Sequence, residues 1–280
     1  MIMSAAREHP LIAMDTWFAM AGECDIETRC KKLVAAGIDG LLPSLSSAEA
    51  LQELPRTLAA CRQNGLQVPG VFAIYDAGLP PEAEGNRLVF ELIARMEDCP
   101  VVQLAIQMSG GQFAASDPAG DDAACRAIEG LLAAAEKFNR TIALYPHIWF
   151  WMERHSDAMR LRDRIAHPRL KLVFCAMHWF EVDGENLGEQ LKTMAPHLVS
   201  ANLSGHTKLP AGTQGLPVTI EPIYSGELNC AEVYAQLFAS GYRGHIAIQG
   251  YSITGDIFEK LRKSKQAFLE MRDSLPARSP

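Results

Sequence analysis

The chain has no apolar run of the roughly 18 residues that a membrane-spanning helix needs. Its N-terminal stretch MIMSAAREHPLIAM sets an acid and a histidine ahead of an apolar segment too short for a signal peptide. It has no CxxC pair and no zinc-ribbon spacing: the seven cysteines, at 24, 30, 61, 99, 125, 175 and 230, are odd in number and scattered. That argues against a disulfide framework and suits a reducing compartment. Basic residues are in deficit, 26 Lys and Arg against 33 Asp and Glu, for a formal charge of −7. No basic stripe is left to attract a nucleic-acid backbone. A soluble, cytoplasmic protein is expected, with neither a membrane nor a nucleic acid as partner. The phosphate loop GxGxxG is also missing after the first strand, which argues against a dinucleotide-binding fold.

Against these absences stands a regular alternation of two hydrophobic patterns. Apolar β-type runs are read at 11–14, 38–42, 68–75, 101–106, 141–145, 170–175, 198–203 and 245–249. Helical patterns fill the intervals at 25–36, 46–64, 82–97, 121–139, 152–166, 184–194, 230–240 and 257–274. Two stretches nearly repeat one another, LVAAGIDG at 33–40 and LFASGYRG at 237–244, each a helix end, a glycine stop and a strand entry. Alternating βα units with short links make a parallel sheet, and eight of them predict a (β/α)8 TIM barrel of the α/β class. At 280 residues and 48% hydrophobic, the chain is expected to form one such domain over 1–280, with 1–9 a frayed leader and 275–280 a frayed tail. The longest link, from Ser204 to Gly226, reads as a functional or mobile loop. Its Lys208 and Glu221 either close over a ligand or stay solvated.

In such a barrel the site is built from the C-terminal ends of the strands. Those ends carry Asp15, Asp76, Gln107, Tyr145, His147, Cys175, His178, Asn202, His206 and Gln249, with Trp179 and Tyr251 as aromatic walls. The stretch TIALYPHIWFWME at 141–153 is the densest of them. His147, His178 and His206 follow the fifth, sixth and seventh strands in turn. Converging imidazoles suit one divalent metal of borderline softness (zinc, manganese or iron), or serve as acid, base and substrate clamp. Each alone also fits an ordinary loop hydrogen bond. Trp17, Phe18, Tyr75, Tyr145, Trp149, Trp151, Trp179 and Tyr251 crowd the same rim. They either stack on sugar rings, with Asp15, Asn202 and Gln249 taking the hydroxyls, or pack the barrel against its helices or a second copy. Cys175 lies in an apolar strand and reads as packing rather than as a nucleophile. No arginine cluster marks a phosphate site, so a non-phosphorylated ligand is expected.

The YPH at 145–147, CAMHW at 175–179, NLSGH at 202–206 and the ending GYRGHIAIQGYSITGD at 241–256 resemble the sugar phosphate isomerase/epimerase family, the xylose isomerase-like TIM barrels. The resemblance implies a carbohydrate-active enzyme that abstracts a proton next to a carbonyl on a sugar or keto-sugar. In that family one divalent cation is held by Glu, Asp, His and Glu on strands five to eight, where this chain has Tyr145, Cys175, Asn202 and Gln249. His178 matches the histidine of the family's strand-six Asp-x-x-His motif. The expected assignment therefore makes His147 and His178 catalytic. Asp15, Tyr145, Trp179, Asn202, Gln249 and Tyr251 bind a small-molecule carbohydrate. If any metal is bound it sits on His147, His178 and His206; otherwise there is no cofactor. A metal-free, non-catalytic sugar-binding barrel and a keto-glycoside lyase are the alternatives, and a homo-oligomer is compatible with either. Endonuclease action would need many acids on several metals and a basic groove, which are not seen.

Overall fold

The computed structural model describes residues 9–19, 24–97, 99–210, 212–213 and 220–275. Eight parallel strands form the barrel: β1 Leu11–Met14, β2 Gly40–Leu42, β3 Val71–Asp76, β4 Val101–Gln107, β5 Thr141–Leu144, β6 Leu170–Cys175, β7 Leu198–Leu203 and β10 Ile246–Ile248. They are hydrogen-bonded in the order β2-β1-β10-β7-β6-β5-β4-β3. Between β2 and β3 the ladder is reduced to single bridges at Gly40–Gln67 and Ser44–Phe72. The cause is local. Pro43 has no N–H to give, so its carbonyl accepts from Phe72 at 2.9 Å. Gly40 lies so close to its neighbour that a Cβ there would stand 2.3 Å from the Gln67 carbonyl oxygen.

Strand alternation sorts side chains into two layers. Ile12, Met14, Leu42, Ala105, Ala143, Tyr145, Val173, Cys175 and Ala247 fill the barrel interior. The intervening residues, such as Leu11, Leu104, Leu144 and Phe174, pack outward into the main core with the helices. Three of the interior positions are alanine. That leaves volume at the mouth for Phe72 and Tyr145, whose rings meet edge to face at 4.9 Å.

The helices are α1 Ile26–Ala35, α2 Ala48–Gln63, α3 Glu84–Arg95, α4 Asp121–Lys137, α5 His155–Ile165, α6 Ala176–Val182, α7 Leu187–Met194, α8 Cys230–Ala239 and α9 Ile257–Asp273. Asp25, Ser47, Asn229 and Asp256 cap α1, α2, α8 and α9 by accepting a backbone N–H of the first turn. Two elements depart from expectation. Residues 176–182, which the sequence pattern leaves as the polar end of the sixth strand, form α6 directly off β6, so His178 lies on a helix. Helix α5 starts at His155 rather than Met152, because the chain first folds back: His147 N–H donates to the Met152 carbonyl at 2.9 Å and Met152 N–H to Ile106 at 3.1 Å.

The long loop holds a short antiparallel ribbon, β8 Gly205–His206 with β9 Ile220–Glu221. Residues 211 and 214–219 of that loop lie outside the described residues, as do most of the expected leader and tail. His9, counted with the leader, is instead buried, with Nδ1 2.7 Å from the Gly244 carbonyl oxygen. Leu275, counted with the tail, packs against the core. Among the described residues, no helix is long and apolar enough to cross a membrane.

Candidate active site

At the C-terminal ends of β5, β6, β7 and β10 four side chains converge on one point. The Tyr145 hydroxyl donates to Cys175 Sγ at 3.6 Å, and the Cys175 thiol donates to Gln249 Oε1 at 3.5 Å. The Asn202 and Gln249 side chains lie near the same hydroxyl and ease its charged form. Asn202 is fixed from beneath: Ser200 Oγ donates to its Oδ1 at 3.1 Å, and its amide faces Met14 Sδ at 3.7 Å. All four groups are buried. Burial raises the Tyr145 hydroxyl well above its ordinary pKa and pushes the Cys175 thiol up to about 11, so both keep their protons. Cys175 is therefore packing and hydrogen bond, not nucleophile.

Above this floor lie two imidazoles with ring centroids 4.3 Å apart, His147 on the turn after β5 and His178 on the first turn of α6. One residue, Ile148, sets both tautomers. His147 Nδ1 lies 2.8 Å from the Ile148 carbonyl oxygen, so Nδ1 carries a proton and Nε2 a lone pair. The Ile148 N–H donates to His178 Nδ1 at 3.3 Å, so neutral His178 carries its proton on Nε2. That Nε2–H is buried and has no hydrogen-bond partner among the described residues. Burial lowers His147 to a pKa of about 4. Burial, reinforced by His147, His155 and His206, holds His178 well below the usual histidine value. At neutral pH the pair thus presents one lone pair and one N–H side by side.

Both rings face a cavity of about 430 Å³ lined also by Met14, Thr16, Ser44, Phe72, Ile74, Tyr145, Ile148, Trp149, Phe150, Met177, Ile220, Gln249 and Tyr251. Of the expected site residues, His147, His178, Tyr145, Gln249 and Tyr251 share this cavity. Asn202 lies just beneath it. Asp15 is placed elsewhere: its carboxylate accepts from Ser44 N–H and Oγ–H, both at 2.6 Å, and borders a separate small cleft behind Ser44. Trp179 packs outward on Phe174 and donates to the Glu185 carbonyl at 3.4 Å, so it walls nothing. Trp17, Phe18 and Tyr75 are likewise core residues, Trp17 donating to the Ile248 carbonyl at 2.9 Å.

His206 does not join the other two histidines. It is buried on the ribbon with Nε2 2.5 Å from a Glu181 carboxylate oxygen. Among the described residues no group of three or more His, Cys, Asp or Glu side chains could hold a metal ion. The four strand-end positions do meet, but they offer a phenol, a thiol and two amides. Such a donor set carries no negative charge to offset a divalent cation and does not fit one.

Phe72, Ile74, Ile148, Phe150, Met177 and Ile220, six of the fifteen residues that line the cavity, are not among the residues singled out from the sequence. A period-2 reading of β3 puts Phe72 and Ile74 on the face opposite Tyr75 and was the available signal. Nothing in the local sequence marks Met177 or Ile220.

A barrel with its polar groups gathered at the carboxyl ends of the strands is the architecture of a large class of enzymes. Within that class, the model of the xylose isomerase-like TIM barrel family matches residues 30–270, and the chain belongs to that family. Solved structures agree on the fold. The 3-keto-D-glucoside 4-epimerase from E. coli superposes with a TM-score of 0.71 at 16% identity, over 95% of this chain and 99% of that one. An L-ribulose 3-epimerase gives 0.72 at 13%, over 95% of each chain. The IOLI protein, with a binding zinc atom, gives 0.75 at 14%, over 96% of this chain and 100% of that one. Among curated proteins no sequence matches significantly.

Proposed function

We propose that the chain acts on an uncharged sugar or keto-sugar by moving a proton on the carbon next to a carbonyl, with His147 as base and His178 as hydrogen-bond donor. The observation that carries this is the opposite tautomers of two adjacent imidazoles in one cavity. His147 Nε2 takes the proton, the C–H pair becomes the new C=C bond, and the carbonyl π pair moves onto oxygen. The buried His178 Nε2–H then meets that oxygen and stabilises the enolate. Delivery of a solvent proton to the opposite face, with His147 later releasing the one it took, gives an epimer; return of the proton to the former carbonyl carbon, with the neighbouring hydroxyl proton passing to the first oxygen, gives an isomer. Loss of a β-substituent from the same enolate would instead make the chain a lyase. The epimerases of like fold support a carbohydrate substrate. The aromatic and aliphatic walls suit the apolar face of a sugar ring, while the Thr16 and Tyr251 hydroxyls offer polar atoms to its own.

The test is solvent exchange. Aldoses, ketoses and 3-keto-glycosides are incubated with the protein in D2O and followed by NMR. Deuterium at the carbon next to the carbonyl, lost in His147→Ala, is the expected result. One observation favours a second reading, a non-catalytic sugar-binding barrel: His147, at a pKa of about 4, is a weak base. Tight sugar binding with no exchange in any substrate would decide for it.

A further inference from the structure

A second cavity of about 250 Å³ lies beside the first. Gln107, Met108, Ser109, Phe113, Ala115, Trp149, Phe150 and Trp151 line it, and Trp149 and Phe150 line the first as well. Both cavities are partly open to solvent. We infer that the outer cavity holds a second ring of the same ligand, so that the preferred substrate is a glycoside rather than a free monosaccharide, the inner ring lying on the histidines and the aglycone or second sugar beyond Trp149. This rests on the carbohydrate reading of the inner cavity.

Three observations support it. The lining of the outer cavity sets Phe113, Trp149, Phe150 and Trp151 against the polar Gln107 and Ser109, with no charged side chain, which suits a ring with an apolar face and a hydroxylated edge; the Gln107 amide N–H is given to Asp76 at 3.1 Å, so its carbonyl oxygen faces a ligand. The cavity is also built rather than incidental. Ser116 N–H donates to the Trp151 carbonyl at 2.8 Å, Trp151 Nε1–H to the Asp117 carbonyl at 3.2 Å, and Ser116 Oγ–H to Asp157 at 2.6 Å. The loop after β4 is thereby stapled to the turn before α5. A Cβ at Gly120 would stand 2.6 Å from Trp151 Nε1, so that indole is seated against bare backbone. Finally, Trp149, in the shared wall, has φ +68°, in the left-handed region that bulky side chains avoid. Such strain is kept where a ring must stand in one place.

Calorimetric titration of the full chain with D-glucose, D-fructose and the phenyl α- and β-D-glucosides tests it. One phenyl glucoside is expected to bind roughly tenfold tighter than the better free hexose, the increment of one well-stacked ring. Ala115→Trp, which fills the outer cavity from an exposed position and is expected to keep its melting temperature, and Phe113→Ala, which gives up some core packing, are both expected to reduce that ratio to near one. A hexose that binds as tightly as both phenyl glucosides overturns the inference and leaves the carbohydrate reading standing. So does an unchanged ratio in both variants. Failure of every sugar to bind overturns both.

Discussion

The two layers of the site are built on opposite terms. In the floor, the Tyr145, Cys175 and Gln249 side chains are joined to one another, and Asn202 is held by Ser200 and Met14. One layer up, His147 and His178 spend their Nδ1 atoms on the two ends of Ile148 and leave both Nε2 atoms for something else. A saturated polar network stabilises and specifies a core; an unpaired buried N–H costs free energy unless a ligand meets it. In this chain the reactive valences therefore lie above the strand-end positions from which the family resemblance draws its metal ligands.

The sharpest way to break this contrast is to delete one group from each layer. His147→Ala and His178→Ala are each expected to lower turnover by about 10²–10⁴, the usual worth of a positioned acid–base group, a loss far larger than the stability cost of emptying the buried His178 site would explain. Cys175→Ala should do the reverse, costing stability through a small cavity and a lost hydrogen bond but less than tenfold in turnover. Parallel kinetics and thermal melts decide it. Equal turnover losses in both layers would erase the distinction.

A charge placed in the floor tests its neutrality. Gln249→Glu sets a carboxylate among Cys175, Tyr145 and Asn202 with no cation beside it, and should destabilise the chain by on the order of 3 kcal/mol at pH 7. Zn²⁺ or Mn²⁺ should restore part of that loss in the variant and leave the wild-type melting temperature unmoved by either metal or EDTA. A wild-type melt that shifts with EDTA would show that the neutral floor is not the whole story of the four strand ends.

How far this contrast could be read from the sequence depends on which force placed each residue. The strands were legible because burial on both faces leaves continuous apolar runs such as LIAM and LVFC, and glycine stops such as Gly37 and Gly241 mark the helix ends. That Tyr145, Cys175, Asn202 and Gln249 lie at strand ends followed from the strand pattern, and that they stand together followed from the family resemblance. Helix α6 was not legible: AMHWFEV starts straight from β6 with no capping side chain and no turn residue before it. That is why Trp179 was expected in the cavity, when a helical turn carries it outward while His178 points in. His206 was misjudged because its partner, Glu181, is 25 residues away in sequence and meets it only through the fold.

Acid should act on the upper layer before the floor. His147 has a folded pKa of about 4, His178 lies well below its ordinary value, and His245, half-buried at the foot of the barrel, is also near 4. In the unfolded chain each titrates near 6.5. Between those limits the unfolded state binds more protons, so stability is full above pH 6.5 and falls as pH drops toward 4. Urea melts across that window should show it, and His147→Gln should reduce the protons taken up on unfolding by about one. An unchanged slope would mean that the His147 ring is charged or solvated in the native state, against the tautomer inferred from Ile148.

The smallest effect is expected where sequence and structure disagree most. Trp179 was a wall of the site by sequence, and it packs instead on Phe174 with its N–H on the Glu185 carbonyl. Trp179→Phe removes that hydrogen bond and part of a ring from the outer core, for a cost of about 1 kcal/mol. Ligand affinity and turnover should stay within about twofold, because the side chain faces away from the pair to which His178 belongs. Tyr251→Phe, one hydroxyl removed from the cavity wall itself, is the matched control: a smaller stability cost is expected to come with a measurable rise in KM. If Trp179→Phe moves KM and Tyr251→Phe does not, α6 is turned the other way in the working protein, and His178 with it.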